Sequence, residues 1–378
     1  MKDLAVDFNE AEYLARLRNW VEHESPTFEA AAVNSMLDLA ARDFAAAGAN
    51  IERIAGRLGF AGAIRARFPN PRGAEPGVVV FAHLDTVHPL RTLDVLPWRR
   101  EGDRCYGPGI LDMKGGLCLA LQAVIELERA ALPTPLPITF MLTGDEETGT
   151  PSARELVERE AARHRYVLVP EPARSNGNVI SGRYAIARFN LKTTGRPSHA
   201  GSRLSDGRSA IRAMAQRILE IEGLSNEDCT FSVGVVRGGQ WVNCVATTCE
   251  AEVLSMAKRP ADLDRGVGTL LGMAGERDDV RFEVARGVTR PIWEPTPATL
   301  ALFDKAQGRA NELGFAIGHE SAGGGSDGNF TGALGIPTLD GLGAVGDGAH
   351  TLSEYIEIPQ TIQRGRLFAD LLATIDRP

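Results

Sequence analysis

Val78-Val-Val-Phe-Ala-His-Leu-Asp85 is a run of five apolar residues that ends on an imidazole and a carboxylate. A short, wholly apolar run fits a strand buried on both faces, as strands of a parallel sheet are. The pattern recurs. Ile138-Thr-Phe-Met-Leu142 runs into Asp145-Glu146-Glu147, and Tyr166-Val-Leu-Val169 into Pro170-Glu171-Pro172. Gly335-Ile-Pro-Thr-Leu339 leads through a glycine-rich loop to His350. Residues 61–68 read as another strand. Helical spacing of apolar residues covers 11–23, 28–47 and 113–131, then a stretch ending near Leu313 and a last one ending near Ile375. Strands alternating with helices predict an α/β fold, a mostly parallel sheet covered by helices on both faces. In such sheets ligands bind beyond the carboxyl ends of the strands, and that is where each polar cluster falls.

The pattern changes after Ser181. Residues 184–194 alternate apolar and polar, as a strand with one buried face does. A helix over 206–222, strands over 230–236 and 244–256, a helix over 261–273 and a strand near 280–285 make a compact α+β unit. With 378 residues the chain exceeds what one hydrophobic core usually supports. The predicted organisation is a discontinuous catalytic domain, residues 1–182 and 291–378, with residues 183–290 inserted as a second domain. The Gly-, Asn- and Pro-rich segments 175–183 and 287–297 are taken as the two crossings.

Composition narrows the function. The formal net charge of −8 argues against nucleic acid or anionic membrane as partner, since both call for basic patches. No apolar run reaches the roughly 18–20 residues of a membrane span. The acidic first dozen residues lack the apolar core of a secretory signal, so a cytoplasmic protein is expected. The five cysteines form no C-x-x-C pair, which predicts reduced, mostly buried thiols rather than disulfides or a thiolate metal site.

The polar clusters carry the chemistry. His83 and Asp85, two apart on an extended chain, share a face, and a carboxylate beside a metal-binding histidine fixes its tautomer. His, Asp and Glu without Cys is the ligand set of a hydrolytic zinc or cobalt centre. Adjacent Glu146 and Glu147 can divide the work, one on metal and one free to take a proton. Between the first two clusters lies Tyr106-Gly-Pro-Gly-Ile-Leu-Asp-Met-Lys-Gly-Gly116, whose glycines let backbone approach whatever Asp112 holds. Taken singly, each feature has a plainer reading: a hydrogen-bonded His–Asp pair, a solvated Glu–Glu turn, a turn at Glu171, a loop histidine at 350. Their joint occurrence at successive strand ends favours a site.

The motifs His83-Leu-Asp-Thr-Val87, Gly107-Pro-Gly-Ile-Leu-Asp112, Gly144-Asp-Glu-Glu147, Glu171-Pro172, Ser198-His-Ala-Gly201 and Gly323-Gly-Gly-Ser-Asp327 resemble, in order and over nearly the whole chain, the M20 metallopeptidases. That family includes glutamate carboxypeptidase, acetylornithine deacetylase and succinyl-diaminopimelate desuccinylase. Glu171, where other branches often have Asp, points to the carboxypeptidase branch. The resemblance implies two zinc ions, with cobalt or manganese as substitutes, and a peptide or N-acyl amino acid as substrate. It implies that Asp112 bridges the ions, His83 and Glu171 complete one, and Glu147 and His350 the other. Glu146 would be the general base for the water between the metals, with Asp85 supporting His83. The Asp112–Met113 peptide would be cis. The inserted domain would be a ferredoxin-like lid through which the protein forms a homodimer. From that domain His199 would stabilise the oxyanion, while Asn243 and Arg290 would bind substrate. Read alone, these three are equally a loop histidine, a turn amide and a surface charge.

One departure stands out. Where the family has Asp-Val-Arg, this chain has Leu254-Ser-Met256. An apolar side chain replaces an arginine that grips the substrate carboxylate, leaving Lys258 or Arg259 as nearby substitutes. A substrate with a bulkier or less charged end is expected. The competing expectations are a deacylase of a non-peptide amide and, in a different class, a metal-binding protein without catalysis.

Overall fold

The computed structural model describes residues 6–73 and 75–376. Contacts divide the chain into two compact units. One comprises residues up to Gly182, Trp293–Ala322 and Ser326 onward; the other is Arg183–Ile292 with Gly323–Gly325.

In chain order the first unit begins with α1 (Glu10–Val21), α2 (Ala30–Ala46), β1 (Asn50–Ile54), β2 (Ala63–Arg67), β3 (Val78–His83), β4 (Arg99–Glu101) and β5 (Arg104–Tyr106). Next come α3 (Gly115–Arg129), β6 (Ile138–Thr143), α4 (Arg154–Ala161), β7 (Tyr166–Leu168) and β8 (Val179–Arg183). Its C-terminal part supplies α7 (Pro297–Glu312), β14 (His319–Ala322), α8 (Gly328–Ala333), β15 (Thr338–Leu339), β16 (Gly346–Asp347), β17 (Tyr355–Glu357) and α9 (Ile358–Thr374). The main sheet has the order β1-β2-β6-β3-β7-β15. Its β6–β3, β3–β7 and β7–β15 pairs are parallel, and β1 and β2 form an antiparallel margin. Because side chains alternate along a strand, Val78, Val80 and Ala82 enter a core with Leu17, Met36, Leu121, Leu302 and Phe368 on one face. Val79 and Phe81 enter a second core with Val157, Ala161 and Phe330 on the other. Both faces are thus covered, and the apolar runs carry no polar alternation for that reason. After β3 the chain goes to β6 on one side of it and from there to β7 on the other, the change of direction at which sheets of this kind bind ligands.

The second unit contains β9 (Ala185–Thr194), α5 (Ala210–Glu222), β10 (Cys229–Gly238), β11 (Thr248–Ala257), α6 (Pro260–Gly272), β12 (Gly275–Arg277) and β13 (Val280–Arg290). Its antiparallel sheet runs β10-β11-β9-β13-β12. Alternate residues Phe189, Leu191, Ala251, Val253, Phe231 and Phe282 pack against Met214 and Ile221 of α5 and Val267 and Leu270 of α6. Leaving β12 aside, this is the βαββαβ order of a ferredoxin-like unit.

Several boundaries differ from the sequence reading. The segment 175–183 is not simply a crossing: its buried half is β8, paired with β14, because buried backbone needs hydrogen-bond partners. Likewise β13 runs on to Arg290 past Gly287, which lies at a register shift between Arg286 and Thr289. Residues 244–247 are not strand. Val245 donates to Ser198 O at 2.9 Å and Ala246 accepts from Ala210 N at 2.9 Å, so their backbone is committed outside the sheet. Four cysteines are buried and Cys244 is exposed, all as free thiols. Among the described residues no helix is long and apolar enough to cross a membrane.

Candidate metal centre

Three strands of the parallel core, β3, β6 and β7, each deliver a polar cluster to the same end. His83 is the last residue of β3, Glu146 and Glu147 follow β6, and Glu171 follows β7. Asp112 arrives on the loop between β5 and α3, and His350 on the loop between β16 and β17. The side chains converge. Asp112 Oδ1 lies 3.2 Å from His83 Nε2, and its Oδ2 lies 3.2 Å from His350 Nε2. Glu147 is 3.3 Å from His350 Nε2; Glu171 and Glu146 are 3.6 and 3.8 Å from His83 Nε2. Ligand atoms of His83, Asp112 and Glu147, and again of His83, Glu146 and Glu171, all fall within 4.8 Å of one another.

The Asp112–Met113 peptide is cis. His350 has φ +64°, a left-handed conformation uncommon outside glycine and frequent at functional sites. Gly116 must be glycine because a Cβ there would lie 1.8 Å from the Pro170 carbonyl oxygen. The sequence reading tied this glycine to whatever Asp112 holds; what it permits is close packing of α3 on the strand end that carries Glu171.

Asp85 lies against His83 and makes further contacts beyond it. His83 Nδ1 is 2.9 Å from the Asp85 main-chain oxygen and 3.5 Å from Oδ1. The carboxylate also accepts from the amides of Glu146 and Glu147, both at 3.2 Å, and from Thr27 Oγ1 at 2.8 Å. It therefore ties the ends of β3 and β6 together. Thr27 had no signal in the sequence, being one hydroxyl in an irregular segment. Lys114, also unsingled, is buried with Nζ on the His23 carbonyl at 2.8 Å.

Electrostatics mark the centre as a place for cations. Burial, reinforced by the Asp112 charge, pushes the Glu147 carboxyl up to about 8. The same causes raise Glu171 well above the usual carboxylate range. Burial opposes charge on Asp112 too, but hydrogen bonds from His350 and His83 outweigh it and hold its pKa low. Asp112 and Glu147 together push His350 up to about 11. His83 is raised as well, the carboxylates overcoming the burial that disfavours its charge. Crowded carboxylates and imidazoles of this kind are relieved by bound metal, and a nitrogen and oxygen donor set without sulfur suits zinc, cobalt or manganese.

This charge pattern has a consequence for the metal-free protein. A carboxyl raised to about 8 in the fold holds a proton that the unfolded chain has lost above about 4.5. Its contribution to stability is full below 4.5 and is lost as pH rises through 8. His350, raised from 6.5 to about 11, acts in the same direction above 6.5. Thermal melts after chelation are expected to show a Tm falling between pH 5 and 8, and metal-loaded protein a much flatter profile. Equal slopes would show that these groups are not crowded in solution.

The remaining candidates belong to the second unit. His199 is exposed, and its Nδ1 accepts from the amides of Gly201 and Ser202 at 3.1 and 3.2 Å, which leaves the proton on Nε2. The adjacent loop carries Asn243, whose carbonyl accepts from Ala200 N at 3.0 Å. Arg290 is no surface charge: it is 3% exposed at the end of β13, its side chain running past Gly325, where a Cβ would meet its Cδ at 2.5 Å. Met256 pairs in register with Ile186 on β9 and sits beside Gly323. Lys258 and Arg259 are engaged elsewhere, with Glu227 at 3.6 Å and with Asp228 and Asp262 at 2.9 and 2.7 Å.

The arrangement has relatives. Carboxypeptidase G2 of Pseudomonas sp. (strain RS-16) is 30% identical over 307 residues, covering 78% of this chain and 74% of that protein. Acetylornithine deacetylase of Myxococcus xanthus is 27% identical over 229 residues, 56% of this chain and 58% of that one. The crystal structure of human carnosine dipeptidase 1 shares the fold, with a TM-score of 0.77 at 15% identity over 97% of both chains. Residues 79–374, from inside β3 to the end of α9 and so through every side chain of the centre, match the model of peptidase family M20/M25/M40. With that match spanning most of its length, the chain belongs to the M20/M25/M40 peptidase family and is a hydrolase.

Proposed function

We propose that the chain is a dizinc hydrolase of the amide bond in a peptide or N-acyl amino acid, carboxypeptidase-like in its substrate. The observation that carries this is the meeting of His83, Asp112, Glu147, Glu171 and His350 around Asp112, with Glu146 alongside. Metal dependence is a property of M20 metallopeptidases. In this reading Asp112 would be shared by two cations, with His83 and Glu171 holding one and Glu147 and His350 the other, and cobalt or manganese would serve as substitutes. Two zinc ions there would polarise the substrate carbonyl and lower the pKa of water from about 16 to near 7.

The residues of the chain do the rest. Glu146 takes a proton from the attacking water and returns it to the leaving amine. Asp85 holds the Glu146 and Glu147 amides and so fixes where that base stands. His199 donates Nε2–H to the oxyanion, a contribution on the order of 3–4 kcal/mol for a well-placed donor. Arg290 pairs with the substrate carboxylate, for which its planar fork is suited, and Asn243 orients the substrate. The second unit serves as lid and as the contact of a homodimer, and the protein works in the cytoplasm.

Met256 favours a substrate less acidic than a C-terminal glutamate. Together with the acetylornithine deacetylase relative, it keeps deacylation of an N-acyl amino acid as a second reading. The test is dialysis against a chelator, then readdition of zinc or cobalt, assayed on dipeptides, N-acyl amino acids and aryl amides. Hydrolysis is expected to vanish and return with metal, strongest on substrates with a free α-carboxylate. Activity that survives complete metal removal would overturn the proposal; a preference for aryl amides would overturn its substrate half.

A further inference from the structure

Glu354 lies fully buried four residues beyond His350, and its side chain collects four hydrogen bonds. Oε1 accepts from the backbone amides of Leu111 and Asp112 at 2.8 and 3.0 Å. Oε2 accepts from the amide of Gly109 at 2.8 Å and from His88 Nε2 at 2.8 Å. A carboxylate only accepts, so His88 is the donor in that contact. The backbone adds to the tie: Gly107 N donates to Glu354 O at 3.4 Å, and Tyr355 pairs with Tyr106 where β17 meets β5.

The position of these bonds is what matters. One loop carries Asp112 and the other His350, 238 residues apart in the chain, and their side chains meet at 3.2 Å. Glu354 sits on the His350 loop and grips the Asp112 loop at three amides, one of them that of Asp112 itself. Hydrogen bonds to an ionised acceptor are roughly twice as strong as neutral ones.

We propose that Glu354 is a positioning residue for metal: it locks residues 109–112 onto the His350 loop so that the Asp112 carboxylate is presented to both imidazoles, and His88 holds Glu354 in that pose. This rests on the dimetal reading above. Groups that orient metal ligands from behind typically change metal affinity by about 10–100-fold when replaced. Glutamine has the shape of glutamate but presents an NH2 group to donors on one side, so it cannot satisfy all four.

The experiment measures zinc affinity of metal-free protein by competition with a chromophoric chelator, alongside Tm and steady-state kinetics. E354Q is expected to bind zinc about 10–100-fold more weakly, with turnover recovered at excess zinc and KM little changed. H88A is expected to fall between E354Q and wild type, and H88Q, which keeps an N–H donor, close to wild type. E160Q is the structural comparison: Glu160 is buried against Arg65 at 2.8 Å, away from the ligand loops, and its loss should lower Tm without moving zinc affinity. Wild-type zinc affinity in E354Q, whatever its Tm, overturns the proposal. If E354Q does not fold, unchanged affinity in H88A overturns it equally. Wild-type protein that takes up no zinc overturns the dimetal reading and this inference with it, an outcome distinct from either.

Discussion

Glu146→Gln is expected to lower kcat by about 10²–10⁴-fold, the usual share of a general base, while bound metal stays at the wild-type level. Glu146 is only 7% exposed, and its amide is held by Asp85 Oδ1 at 3.2 Å, so the side chain starts from a fixed point. Glutamine fills the same space and cannot accept the proton. The outcome is informative because geometry also permits a rival role: Glu146 stands with His83 and Glu171 in a set whose ligand atoms lie within 4.8 Å. A base leaves the metal count untouched when replaced, whereas a ligand takes metal with it. Kinetics and metal content on the same sample separate the two, and an active variant would remove Glu146 from the chemistry.

The second large effect is expected at Asp112. Its two oxygens face different imidazoles, Oδ1 toward His83 and Oδ2 toward His350, each at 3.2 Å. In the proposed dimetal centre this one carboxylate would serve both halves, and Asp112→Ala should strip both cations. Losing metal forfeits several kcal/mol of transition-state stabilisation, on the order of a 10³-fold or greater loss of rate. His350→Ala touches one half only and should keep about one cation per chain. Element analysis after gel filtration reads both variants. Equal metal retention in the two would mean that Asp112 is not shared.

How much of this was legible beforehand depends on chain distance and on burial. β3, β6 and β7 were readable because both faces are covered and their residues are therefore mostly apolar. The sheet of the second unit was readable for the opposite reason, since one face is covered and the other is not, as in the alternating burial of β9. β4, β5, β16 and β17 carry no such signal. They are two or three residues long, and β17 finds its partner β5 about 250 positions away, with Tyr355 opposite Tyr106. Length and remoteness hide them from any local pattern.

The same contrast runs through the site. His83, Glu146, Glu147 and Glu171 stand at strand ends, where position alone suggests a ligand site. Thr27 and Glu354 support that site through contacts to Asp85 and to the Asp112 loop, and nothing local distinguishes a threonine or a glutamate that does so. Arg290 reads as an ordinary charged residue near a proline, yet it is buried at the end of β13, which only the path of the strand decides.

Groups from distant parts of the chain are proposed to hold a pair of divalent cations. Anomalous diffraction at the zinc edge, from crystals of protein reconstituted after chelation, addresses this directly. Two peaks per chain are expected, one beside His83 and Glu171, the other beside Glu147 and His350, with Asp112 between them. No peak at this place, or one peak that Asp112 does not touch, would contradict it.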